Sequence, residues 1–134
     1  MKRLGLTAFF ISMLAACSTS PITPNQGDPV PSSRLYPLKG SGGSKLIVTR
    51  DSGMFGSGCN YRLYVDGDLA AEFASGEVAS FNIAPGKHIL GLRTSSSCGG
   101  GSLKESDLDI KAGETARRRI SLDSGGYYLT PTSY

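Results

Sequence analysis

The chain has 134 residues, with 14 Lys or Arg against 11 Asp or Glu and a formal net charge of +3. Lys2 and Arg3 account for most of that excess: without them 12 basic residues face 11 acidic ones. A nearly neutral remainder excludes the basic surface that nucleic-acid binding requires, and 18 Gly with no Trp point to turn-dense β structure rather than helix.

The chain opens with Lys2 and Arg3, then an apolar run of 13 residues from Leu4 to Ala16. Spanning a bilayer takes about 20 apolar residues, so this run is too short for a transmembrane helix. A basic front, a short apolar core and small residues at the exit form the pattern of an export signal. The run ends in Leu14-Ala15-Ala16-Cys17. This resembles the lipobox of bacterial lipoprotein signal peptides, in which the Cys becomes the acylated first residue of the mature chain. The resemblance implies cleavage after residue 16, lipid on Cys17 and a membrane-bound product. Two or more acyl chains anchor stably, whereas one holds only marginally. Ser18 follows the Cys, where Asp would favour retention at the inner membrane. The expected location is therefore the outer membrane, facing the periplasm.

Residues 1–16 are set aside as the signal, which leaves 118 residues, enough for one small domain. Residues 17–44 read as the lipidated Cys and a tether. Five of the seven prolines lie in 18–44, and the segment closes on Lys39-Gly40-Ser41-Gly42-Gly43-Ser44. Such a composition predicts a disordered coil with an end-to-end distance of roughly 30 Å.

From Lys45 the pattern changes to short alternating runs. Lys45–Arg50 reads as a strand by its β-branched content. Tyr61, Leu63 and Val65 alternate with Arg62 and Tyr64 in a second. Asp66-Gly67-Asp68 is a hairpin turn, leading into Leu69–Phe73. Ala79, Phe81 and Ile83 share one face of a fourth strand. Ala84-Pro85-Gly86-Lys87 turns the chain into a fifth, His88–Arg93. Leu108 and Ile110 mark a sixth, Ile120 and Leu122 a seventh, and Tyr127-Tyr128-Leu129 a last strand. Seven or eight short strands at this spacing predict an all-β domain over 45–134, a small antiparallel sandwich.

Tyr64-Val65-Asp66-Gly67, Ala84-Pro85-Gly86-Lys87-His88 and Lys111-Ala112-Gly113-Glu114-Thr115 recur in that order. This is similar to a family of uncharacterised bacterial lipoprotein domains related to PEGA-type surface β domains. The resemblance covers most of 45–130 and implies a small sandwich without catalytic residues. Arg117-Arg118-Arg119 departs from that pattern, which often places aromatics after the turn.

With Cys17 acylated, Cys59 and Cys98 remain. An even remainder in an exported chain predicts a disulfide, and both lie in flexible Gly/Ser loops. A metal pair is the weaker alternative, since neither thiol has a neighbouring His or a CxxC spacing. His88 is the sole His and has no G-x-S-x-G or Cys-His partner, so it reads as structural or solvated. Glu105, Asp107 and Asp109 alternate on one strand face, as a solvent-facing polar edge or as a carboxylate cluster for calcium or glycosidic chemistry. Arg118 falls on the Ala116/Ile120/Leu122 face, at the rim or paired to an acid, while Arg117 and Arg119 face outward opposite Asp107 and Asp109.

No catalytic residue, metal site or cofactor is expected. Met54, Phe55, Tyr64 and Tyr127 are the candidate contact residues for an envelope partner, with plugging of the sandwich end as the equal alternative for Met54 and Phe55. The expected function is a membrane-anchored, non-catalytic binding or assembly module, with sandwich edges able to accept a strand. The alternative is a periplasmic inhibitor or immunity-type lipoprotein, because Ser124-Gly125-Gly126-Tyr127 resembles a loop of periplasmic lysozyme inhibitors.

Overall fold

The computed structural model describes residues 17–40 and 42–134; the expected signal peptide over 1–16 lies outside them. Among the described residues nine strands form two sheets. They are β1 (Asp28–Pro29), β2 (Ser44–Arg50), β3 (Tyr61–Val65), β4 (Asp68–Phe73), β5 (Glu77–Ile83), β6 (Gly86–Thr94), β7 (Lys104–Ile110), β8 (Thr115–Asp123) and β9 (Gly126–Pro131). One sheet has the order β1-β5-β2-β8-β9, the other β4-β3-β6-β7.

The period-2 pattern decides which side chains meet between the sheets. Leu46 and Val48 of β2, Leu63 of β3, Phe73 of β4, Leu92 of β6 and Ile120 of β8 are fully enclosed, and one apolar cluster joins both sheets. Burying each such side chain contributes about 1.5–3 kcal/mol. Asp66 (φ 52°) and Gly67 (φ 84°) both take the left-handed backbone that a two-residue hairpin requires.

The sandwich is all-β as expected, but not purely antiparallel. β2 runs parallel to β8, and β1 parallel to β5. Alternation reports which face a residue takes, not which way its neighbour runs, so the sequence carried no sign of this.

The segment expected to be a disordered tether is docked instead. Thr19, Ser20, Asp28, Val30 and Tyr36 each donate a backbone hydrogen bond to the sandwich, and Ile22 and Val30 are buried. β1 lies along the open edge of β5, and Leu35 then bridges Ala71 on the edge of β4. Arg34 forks onto both carboxylate oxygens of Glu77, at 2.8 and 2.5 Å, and reaches Glu72 O at 2.7 Å. The prolines misled because they preclude regular structure, not burial: a proline-rich chain still covers sheet edges through its remaining amides and a few apolar anchors. The segment thus shields the open edges of both sheets on one side of the sandwich.

Trypsin should therefore spare Arg34 and cut first at Lys39, whose side chain is 88% exposed. The order of fragments in a timed digest checks this. Equal cleavage rates at the two sites would mean that the segment is free.

Candidate functional site

The two ends of the sandwich carry different chemistry. One end gathers Cys17, the β2–β3 loop, the β6–β7 loop and the β8–β9 turn. At its centre Arg50 is 1% exposed. It occupies the inward phase of β2, two residues beyond Val48. Its guanidinium donates to Cys59 O (2.7 Å), Phe73 O (2.7 Å) and Gly56 O (2.9 Å), and stacks 4.7 Å from the centre of the Tyr61 ring. Burial pushes its pKa down and the nearby Tyr61 and Glu77 push it up. The next residue, Asp51, has no exposed side-chain surface. It accepts from Arg119 Nε and Nη2, both at 2.6 Å, and from Thr19 Oγ1 at 2.7 Å.

This corrects the expected partner of Arg119. Asp107 and Asp109 belong to β7 in the other sheet, whereas β8 lies between β2 and β9. Arg119 therefore meets the carboxylate at the end of β2. Arg118 is half-buried and donates to Arg117 O.

Cys59 and Cys98 are bonded, with Cα atoms 6.0 Å apart, and the bridge ties the β2–β3 loop to the β6–β7 loop. Cys17 is free and exposed. Among the contact candidates, Met54 is 92% exposed, while Phe55 and Tyr127 pack partly buried against the core. Tyr127 tilts onto Tyr61 and donates to Ser102 O. Tyr64 lies elsewhere, on the outer face of the four-stranded sheet, opposite Gly91.

At the other end, His88 Nδ1 sits 2.6 Å from Asp66 Oδ2 and Nε2 sits 2.6 Å from Ala84 O. Both partners only accept, so both bonds are made by the imidazolium, with a proton on each nitrogen. Neither nitrogen is left to act as a base toward a substrate. The Asp66 bond and the Ala84 carbonyl raise the His88 pKa. The adjacent depression, about 310 Å³, is lined by Lys87, Ile89, Asp107 and Asp109 as well as this pair. Among the described residues no group of three His, Cys, Asp or Glu is placed to hold a metal ion.

A raised folded pKa means that the stabilisation is full below the unfolded value of about 6.5 and is lost as pH rises through the folded one. The thermal midpoint should therefore fall from pH 6.5 upward by more in the wild type than in His88→Gln. Matching slopes in the two proteins would remove the imidazolium assignment.

Sequence reasoning missed Arg50, Asp51 and Thr19. The first had a visible sign: it continues the inward phase of Leu46 and Val48. Asp51 and Thr19 had none, because their contact joins residues 32 apart. Comparison of the chain with known protein families, with curated proteins and with solved structures finds no match.

Proposed function

We propose that this chain is an exported lipoprotein anchored through Cys17, and that its sandwich is a non-catalytic module binding another component of the bacterial envelope. The observation that carries the reading is the division of the three cysteines. Cys59 and Cys98 are bonded, as suits an oxidising compartment, while Cys17, directly behind Leu14-Ala15-Ala16, is the one left exposed and free. The resemblance to PEGA-like lipoprotein domains agrees with this placement, and Ser18 favours the outer membrane.

The non-catalytic part of the reading rests on His88, whose two nitrogens are both engaged with acceptors. The favoured contact surface is the outer face of the four-stranded sheet. There half-buried Tyr64 shares the face with Ile89 and Leu103, 42% and 47% exposed, and with Leu103 covers the buried backbone of Gly91. β7, at the margin of this face, is an edge strand with one side unpaired by any other strand among the described residues.

Cys17→Ala should leave an unprocessed or mislocalised chain, read by intact mass and membrane fractionation. In the wild-type background, Tyr64→Ala should lose crosslinked envelope partners while keeping its thermal midpoint. An unchanged mature mass and membrane fraction in Cys17→Ala defeats the anchor. Undiminished partner recovery by Tyr64→Ala defeats the contact face.

A further inference from the structure

We infer that the end of the sandwich surrounding Cys17 rests directly on the lipid bilayer, with Met54 in the headgroup layer, so that the domain is held upright rather than swinging on a tether. The inference rests on acylation of Cys17 and deepens that reading by naming the surface that meets the lipid.

Slack in the chain decides the matter. Thr19 N donates to Leu122 O at 3.0 Å, Leu122 N donates to Thr19 Oγ1 at 3.0 Å, and Thr19 Oγ1 donates to the enclosed Asp51 carboxylate. Ser18 bridges Asp123, and Ser20 exchanges both backbone bonds with Ser52. The chain is thus fixed from its eighteenth residue onward. Two residues span at most about 7 Å, so the Cys17 Cα stays within that distance of Thr19. The headgroup zone on each side of a bilayer is itself about 5–8 Å deep. Acyl chains on Cys17 that reach the hydrocarbon must therefore bring the end of the sandwich against the headgroups.

The side chains at this end suit that contact. The β2–β3 loop lies beside the anchor point: a Cβ on Gly53 would come 3.7 Å from the Thr19 backbone, and one on Gly56 would strike Leu122. From this loop Met54 projects into solvent, 92% exposed. Lys104, at the start of β7, holds its ammonium 4.4 and 4.9 Å from the Tyr127 and Tyr128 rings. A cation above two tyrosines is the arrangement that favours a headgroup phosphate beside an amphipathic ring. The opposite end then stands roughly 30 Å from the membrane, the length of the nine-residue strand β8. Tyr64, Ile89 and Leu103 face sideways, open to a partner. The Ser124-Gly125-Gly126-Tyr127 turn that resembles an inhibitor loop would face lipid instead.

The chain has no Trp, so one introduced indole reports alone. Full-length acylated protein carrying Met54→Trp, and separately Ala112→Trp at the far end, would be placed in phosphatidylethanolamine/phosphatidylglycerol vesicles with brominated acyl chains. The expected result is emission reduced by about half or more for Met54→Trp and unchanged for Ala112→Trp. Equal emission from the two overturns the orientation. Intact mass of the same samples separates the two levels of the argument. Acyl mass present without quenching at position 54 defeats the orientation alone, and absence of acyl mass defeats the anchor and the orientation with it.

Discussion

Arg50→Met should lower the stability of the domain by about 3–5 kcal/mol. The guanidinium donates to the inward-facing carbonyls of Cys59 and Phe73 and to that of Gly56, which also accepts from Cys59 N at 3.2 Å. Hydrogen bonds from a charged donor contribute about 1.5–3 kcal/mol each, and unpaired buried acceptors are costly to leave. Removing the cation also removes its own desolvation cost, which keeps the net below the sum of three bonds. Against a total stability of about 5–15 kcal/mol, such a loss brings the domain near unfolding and moves the thermal midpoint by roughly 10–20 °C. Arg50→Lys should fall in between, since a single ammonium does not reproduce the planar fork. Urea unfolding measures both, and a loss below about 1 kcal/mol for Arg50→Met would show that the three carbonyls find other donors.

The second large effect is expected at Arg119. Arg119→Met leaves the Asp51 carboxylate enclosed with Thr19 as its remaining side-chain donor. Breaking one member of a buried pair costs about 3–5 kcal/mol, more than the pair contributes as a whole. Arg117, two residues before Arg119 on the same strand and exposed, is the control: Arg117→Met should change stability by no more than about 0.5 kcal/mol. Because Asp51 also holds Thr19, Arg119→Met should speed amide hydrogen exchange at Thr19 and Ser20. Equal stability of the Arg119 and Arg117 variants would dismiss the pair.

The strands were legible where the two faces of a sheet differ in polarity. Tyr61, Leu63 and Val65 announce β3 because Arg62 and Tyr64 between them stay partly in contact with water. The start of β7 was hidden for the converse reason: Lys104 to Asp107 are all exposed, so they carry no alternation and only Leu108 and Ile110 mark the strand. β1 is two residues long and rests on pairing with Glu77 and Val78. No local pattern reports a contact made with a strand fifty residues away. The disulfide was legible by counting. The Asp51–Arg119 pair was not, since it depends on β2 and β8 being neighbours, a fact of topology rather than of composition.

The parallel pairing of β2 with β8 bears on the order in which the molecule can assemble. Lys45 lies opposite Thr115 and Arg50 opposite Ile120, so each contact closes a loop of 70 residues. The antiparallel neighbours β3, β4 and β6 meet across far shorter stretches. The four-stranded sheet can therefore pair early, while β2 keeps one margin open until the last 20 residues of the chain begin to arrive. Contacts of such long sequence separation slow folding, because the entropy of closing the loop is lost before any packing is gained. A chain ending before Thr115 would leave β2 without its inner neighbour and Thr19 without Leu122, and should be a substrate for proteases rather than a smaller stable domain.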